Sequence, residues 1–493
     1  MARRHLVYVL PGIGGSVLER PGAGGQPGTA VWDAGFGDIA ALLARPGRLT
    51  PDRPLRPTGL IRSRRLLPGW TVVPGYERLL DGLRALPGVR LDEGHPDRRD
   101  PAANVVAFPY DFRLGVAHAA RLLAADVHER LQDHSEAERA GRVVVVAHSM
   151  GGLVARHWLG ALEGWPLCRA LITLGTPHRG APKALDVLAN GVRVAGFRLD
   201  DVSDLLRTWP GVADLLPRYP AVWDATTGSA RHPLDPALPD LGEHAAAALA
   251  MHHEIEDGWR NIPRDPEAPQ VRPLLGWSHR TPGAAYWDGK RLTVTKSMPD
   301  WLDLDGWEED HGDGTVPAYS AVPLEMSGHD TSDWRARDRH GPIGSASWIP
   351  ALVESYERRA ALTAVRGEER LTSLGLDLDE LHPADAAVPL RVRLHRYTPP
   401  AGATDSGPGG APGGEQDSGP DGEPAAVWAS LRQAEAPGRR TAEVRLEWDT
   451  AEGCYRTDLP GQPPGLYDLK VTASAVPGAG DLTATDTIAV VAP

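Results

Sequence analysis

Short apolar runs alternate with stretches of helical spacing through the first third of the chain. Leu6-Val7-Tyr8-Val9-Leu10 and Asn104-Val105-Val106-Ala107-Phe108 are bounded by turn residues and predict buried strands. Gly115 to Leu131 carries apolar residues at helical spacing. Val143-Val144-Val145-Val146 has no polar face, so it predicts a strand covered on both sides. A helical pattern follows within a few small residues, and then another strand, Arg169–Leu174. Strand and helix in regular alternation imply βαβ units and a parallel sheet, an α/β fold.

The alternation fails between about 184 and 286, where proline, tryptophan and charged residues interrupt short helical pieces. An insertion there would sit above the carboxyl edge of the sheet, where α/β folds bind ligands, as a cap or lid. Regularity returns at Arg291–Thr295, and a helix is expected from Ser345 to Arg358. Farther on the period changes from helical to two. Leu390–Leu394, Ala442–Trp448, Leu466–Val471 and Thr485–Val491 read as strands. The run Pro464–Thr472 is similar to a turn and strand of an immunoglobulin-like sandwich. The expected division is a first domain over 1–365, a connector over 366–385 and a C-terminal all-β sandwich over 386–493. Within the sandwich, the Gly/Pro/Ser-rich run 398–424 has no apolar periodicity and reads as a disordered loop.

The candidate chemistry centres on Ala147-His148-Ser149-Met150-Gly151-Gly152. A serine between small residues, at the junction of a buried strand and a helix, is the context of the nucleophile elbow of α/β-hydrolases. A simple helix N-cap would explain the serine but not the glycine pair. A serine hydroxyl needs a base and a group that orients the base, following in the order Ser, Asp/Glu, His. The acid candidate is Asp313, between two glycines, with Asp310 and Asp330 as substitutes. The base candidate is His340, just ahead of the last helix, with His311 and His329 as alternatives. His148 is expected to pack the turn. The oxyanion donors should be the amides of Met150 and of Ile13, the latter in the glycine-rich loop after the first strand. That loop lacks the spacing of a dinucleotide or P-loop motif.

Composition narrows the classes. The chain has 493 residues and a formal charge of −13, which argues against a nucleic-acid partner. Its two cysteines, Cys168 and Cys454, fall in different expected domains and do not make a disulfide framework. The first apolar run is too short for a signal peptide, and no segment is long enough to cross a bilayer, so a cytoplasmic protein is expected. The chemistry requires no metal or organic cofactor.

Together these residues resemble the lecithin:cholesterol acyltransferase family, in its bacterial branch. The resemblance rests on Pro11-Gly12-Ile13-Gly14-Gly15-Ser16, Phe108-Pro109-Tyr110-Asp111-Phe112-Arg113, the Ser149 elbow, Gly312-Asp313-Gly314-Thr315-Val316-Pro317 and Arg339-His340-Gly341, in that order. It implies an α/β-hydrolase fold, a serine acyl-enzyme drawn from a lipid or small ester, a lid and an aromatic-lined acyl pocket. Trp209, Trp223 and Trp277 are candidates to line that pocket. The implied activity is O-acyl transfer of the acyltransferase or phospholipase type. A plain ester hydrolase or lipase is the first alternative. The second is a catalytically incidental fold that binds a protein or carbohydrate partner through the β-sandwich.

Overall fold

A computed structural model describes residues 5–22, 28–33, 45–62, 65–67, 71–73, 75–194, 197–263, 268–302, 304, 307, 311–329, 331–357, 372–395, 426–434, 443–476 and 479–491. The expected parallel sheet is present, with seven strands: β1 (Leu6–Leu10), β2 (Leu91–Asp92), β3 (Val105–Ala107), β4 (Val143–His148), β5 (Cys168–Leu174), β6 (Gln270–Gly276) and β7 (Arg335–Ala336). Their order is β7-β6-β5-β4-β1-β3-β2, and every pairing is parallel. The chain leaves β1 for one edge and returns to β4 on its other side. That reversal opens a crevice at the carboxyl ends of β1 and β4. β4 is buried along its whole length, as four successive valines require. Helix α1 (Val116–Leu131) packs on α2 (Met150–Leu159), the helix that follows β4.

The insertion is smaller than the sequence implied. The range 184–286 contains β6, a strand of the central sheet, and α3 (Ala245–Arg260), which packs on α2. Arg272 and Pro273 hid the strand, because neither belongs to the usual pattern of a buried parallel strand. Arg272 is nonetheless buried. What remains outside the central sheet are residues 191–194 and 197–244 and a four-stranded sheet of Val222–Asp224, Ser229–Arg231, Ala284–Trp287 and Leu292–Thr295, which share the hydrophobic core with that sheet through Val202, Leu206, Trp209 and Leu292. The last of these was expected to resume the core and instead pairs with Ala284–Trp287. The last helix, α4 (Ile349–Glu357), begins four residues later than Ser345, and Arg358 lies outside the described residues.

Asp214 holds the insertion against the core. Its Oδ2 accepts the Val116 N–H at 2.6 Å, at the N-terminus of α1. Burial pushes its carboxyl up to about 7, against the opposing pull of that N–H. The folded chain thus keeps this proton to higher pH than the unfolded chain, whose aspartates titrate near about 3.9. The contribution is full below the unfolded value and is lost as pH rises toward about 7. Thermal unfolding followed from acid to neutral pH should show the wild-type Tm falling relative to Asp214→Asn. Parallel curves would mean that Asp214 titrates alike in both states.

The all-β domain begins earlier than expected. β8 (Ser373–Asp377) and β9 (Leu381–Pro383) lie inside the range 366–385 assigned to a connector. β8 is buried on both faces, so it carries no alternation to read. The remaining strands are β10 (Val388–His395), β11 (Ala426–Gln433), β12 (Val444–Arg445), β13 (Glu447–Asp449), β14 (Cys454–Leu459), β15 (Gly465–Val476) and β16 (Gly480–Val491). They form two sheets, β8-β10-β14-β13 and β9-β16-β15-β11-β12. Leu376, Val392, Val427, Val471 and Ile488 belong to one core between them. The single strand expected over Ala442–Trp448 divides at buried Leu446, with β12 and β13 joining different sheets. The run 398–424 lies outside the described residues. Cys168 and Cys454 are both free and buried. Among the described residues, no helix is long and apolar enough to cross a membrane.

Candidate active site

Ser149 sits at the end of β4 with φ 53° and ψ −124°, a conformation that costs about 1–3 kcal/mol for a residue with a Cβ. Burial of one or two of the valines in β4, about 1.5–3 kcal/mol each, offsets it. The turn is pinned at both sides. Ser149 donates its N–H to the Leu174 carbonyl of β5 at 2.9 Å, and Gly152 donates to the Ser149 carbonyl at 3.0 Å. The loop after β1 closes against it: a Cβ on Gly12 would lie 2.9 Å from that of Ser149, and one on Gly151 would lie 2.5 Å from the Pro11 carbonyl oxygen.

Asp313 and His340 meet Ser149 here. His340 Nε2 lies 2.9 Å from Ser149 Oγ, and His340 Nδ1 lies 2.7 Å from Asp313 Oδ2. A carboxylate can only accept, so Nδ1 carries the proton and Nε2 is left to accept from the serine hydroxyl. Asp313 Oδ1 accepts the N–H groups of Thr315 at 2.9 Å and Val316 at 2.6 Å. Burial works to raise the Asp313 carboxyl. The attraction and hydrogen bond of the His340 imidazole, with the two backbone donors, outweigh burial and hold it below the usual carboxylate range. Ser149 is 2 % exposed, and Asp313 and His340 are 1 % each, so the site is closed to bulk water.

Ile13 and Met150 flank Gly12 and Ser149 in sequence. Neither amide is a donor in any hydrogen bond of the described residues, as an oxyanion pair requires. The loop carrying Ile13 is held by the Tyr110–Arg113 run: the Tyr110 hydroxyl donates to the Pro11 carbonyl at 2.7 Å, and Tyr110 N–H donates to Ser16 Oγ at 3.0 Å. His148 does pack the turn, and more. Its Nε2–H donates to the His340 carbonyl at 2.8 Å, which leaves Nδ1 to accept from the Tyr76 hydroxyl, also at 2.8 Å. The Tyr76 oxygen accepts the Gly12 N–H at 2.8 Å. Burial first, then the neighbouring His340, pushes His148 down to about 3, so it stays neutral.

The alternatives fall elsewhere. His311 is stacked on Trp277 with ring centres 3.6 Å apart, and His329 bonds the nearby Met326 carbonyl at 3.2 Å. Asp310 and Asp330 lie outside the described residues. The three tryptophans do not converge on one pocket. Trp209 is fully buried against Phe112 and donates to the Leu49 carbonyl at 3.0 Å. Trp223 packs on Trp301 in the small sheet, and Trp277 joins a cluster with Val316 and Ala318 behind the acid loop. Two of them adjoin the site through a neighbouring glycine: a Cβ on Gly211, two residues after Trp209, would lie 3.0 Å from Met150 Cε, and one on Gly276, next to Trp277, would collide with Asp313 Cβ.

Gly175 is a site residue that sequence reasoning missed. It has φ 56°, and a Cβ there would lie 2.8 Å from Asp313 Oδ2 and 3.2 Å from His340 Nδ1. A glycine directly after a buried strand was the available signal. Gly175→Ala should cost about 1–2 kcal/mol in backbone strain and lower kcat by about 100-fold by parting the acid from the base. Steady-state kinetics beside thermal unfolding would check it. Unchanged kcat would show that the neighbours yield to a methyl group.

Residues 99–234 match the family Lecithin:cholesterol acyltransferase. The matched segment holds Tyr110–Arg113 and Ser149, while Asp313 and His340 lie beyond it. No curated protein matches the chain. Among solved structures, the chain is similar to the Tle4–Tli4 complex, at 15% identity over 72% of this chain and 99% of that one, with a TM-score of 0.48. It is also similar to Bacillus licheniformis lipase BlEst2 in its mature form, at 17% identity over 51% and 78%, TM-score 0.29. A third is the superoxide reductase (neelaredoxin) of Ignicoccus hospitalis, at 17% identity over 24% and 82%, TM-score 0.17. With its seven parallel strands and its serine elbow after β4, the chain has an α/β-hydrolase fold, and its segment 99–234 matches the lecithin:cholesterol acyltransferase family.

Proposed function

We propose that this chain is a serine-dependent acyl-transfer enzyme that takes an acyl group from a lipid ester and passes it to an acceptor hydroxyl or to water. The observation that carries the reading is the continuous contact from Ser149 Oγ through His340 to Asp313, at 2.9 and 2.7 Å. Ser149 Oγ attacks the ester carbonyl while His340 Nε2 takes its proton. Asp313 stabilises the imidazolium. The amides of Ile13 and Met150 receive the carbonyl oxygen as it becomes an oxyanion. The alcohol leaves with the proton from His340, and an acyl-serine remains. An acceptor hydroxyl, deprotonated by His340, then repeats the steps in reverse. The match of residues 99–234 to the lecithin:cholesterol acyltransferase family supports an acyl chain as the group transferred. The burial of Ser149 supports transfer, since an acceptor alcohol competes best where bulk water is kept out.

The test is a panel of esters and phospholipids of graded chain length, each with and without added alcohols, with products identified by mass spectrometry. Transfer predicts a new ester that grows with alcohol concentration, and an acyl group on the peptide containing Ser149 after acid quench. Free acid as the sole product at every alcohol concentration reduces the reading to a hydrolase.

A further inference from the structure

The all-β domain lies against the loops that carry Asp313 and His340. β8 runs beside residues 278–281. Ser373 Oγ lies 2.8 Å from Ser278 Oγ, and Leu376 N–H donates to His279 Nδ1 at 3.1 Å. Lys296 Nζ reaches Asp377 at 2.6 Å. His279 then joins both loops of the site. Its N–H donates to the Gly312 carbonyl at 3.2 Å and its Nε2–H to the Arg337 carbonyl at 2.9 Å. Gly312 is next to Asp313, and Arg337 stands three residues before His340.

Arg339 makes the second connection, and it is more direct. Its side chain is buried, with Nε 3.1 Å from Asp486 Oδ2 of β16 and Nη2 3.8 Å from Glu380 Oε1, between β8 and β9. Lys183 reaches the same glutamate at 3.6 Å. The guanidinium also lies against the acid loop, where a Cβ on Gly314 would be 2.5 Å from Nη2. The Arg339 carbonyl accepts the Ile343 N–H at 2.9 Å, and His340 N–H donates to the Asp313 carbonyl at 2.9 Å. One buried residue therefore starts the turn that presents the base with its backbone carbonyl, and with its side chain touches the acid loop and ends on carboxylates of the other domain. A buried cation with two carboxylate partners has far less freedom than an exposed one, because leaving either partner uncompensated is costly.

We propose that the β-domain is a working half of the active site, with Arg339 as the positioning residue that fixes Asp313 and His340 against Asp486 and Glu380. This rests on the reading of Ser149, His340 and Asp313 as the reacting triad. It assigns the sandwich a role within the enzyme, distinct from that of an independent binding module.

The test compares the full-length chain with Arg339→Met, Arg339→Lys and the double variant Arg339→Met/Asp486→Asn. Readouts are kcat and KM on p-nitrophenyl butyrate, the rate of fluorophosphonate labelling at Ser149, and Tm. Arg339→Met should lose about 10- to 100-fold in kcat and in labelling rate, with KM within about two-fold, because misplacement by about an ångström has effects of that size. Arg339→Lys should recover part of both. The double variant removes Asp486, the nearer stranded carboxylate, while Glu380 keeps Lys183, so its Tm should recover in part while kcat stays low. A residue that only stabilises the fold would show kcat returning with Tm, and that result overturns the proposal. So does full-rate labelling of folded Arg339→Met. A wild-type protein unlabelled at Ser149 would instead remove the triad reading, and this inference with it.

Discussion

Ser149→Ala is expected to abolish turnover, with a loss of roughly a million-fold in kcat, while the protein keeps its fold and its affinity for substrate. The size of the effect follows from the role: the hydroxyl oxygen is the atom that forms the acyl bond, and a methyl group cannot. The neighbouring hydroxyls are poor substitutes. Ser16 Oγ is occupied by Tyr110 N–H, and Thr176 Oγ1 packs against Gly152 on the elbow helix. Neither is within hydrogen-bond reach of His340. The alanine keeps the Cβ and hence the strain at φ 53°, so its Tm should stay near that of the wild type. Ser149→Gly should be just as inactive but more stable by about 1 kcal/mol, because glycine adopts positive φ at no steric cost. Fluorophosphonate labelling followed by intact mass reads the first effect, and thermal unfolding reads the second. Equal labelling of wild-type and alanine proteins would place the nucleophile elsewhere.

The parts of this site that could be read in the sequence are those whose signal is local. Four valines and two glycines around one serine specify strand, turn and helix within fourteen residues, because each constraint acts between near neighbours. Asp313 and His340 were readable through chain order and flanking glycines, and the structure brings both to Ser149. The residues that were missed act through contacts that only the fold creates. Tyr76 sits in no motif, yet it joins the Gly12 amide to His148. Gly175 is one glycine among 55 until β5 and the acid loop are placed side by side. The strands that were missed have a similar cause. β6 carries Arg272 and Pro273, whose neighbours come from distant segments, and β8 has a second domain on its outer face. The tryptophans show the converse error. Their size foretells burial, but not which cluster receives them, and the three separate into different parts of the first domain.

Asp313→Asn tests the arrangement at the level of one proton, and the hydrogen bonds around Asp313 determine its outcome. In the wild type, Oδ1 faces two backbone donors, Thr315 and Val316, while Oδ2 faces His340 Nδ1. An asparagine must place its carbonyl oxygen toward the two N–H groups, since its NH₂ there would meet two donors in a fully buried site. The amide NH₂ is then aimed at His340 Nδ1 and donates to it. That bond forces Nδ1 to be the acceptor and moves the ring proton to Nε2, the atom that must accept the proton of Ser149. The base is present, correctly placed, and in the wrong tautomer. A loss of about 10⁴-fold in kcat is expected, with KM little changed, because substrate contacts are untouched. The structure of the variant should superimpose on the wild type through Ser149, His340 and the Ile13 loop. Asp313→Ala, by contrast, lacks the donor that imposes the wrong tautomer, although it also loses the group that orients the ring. If the asparagine variant retained more than a tenth of wild-type kcat, Asp313 would not be the residue that sets the protonation of His340.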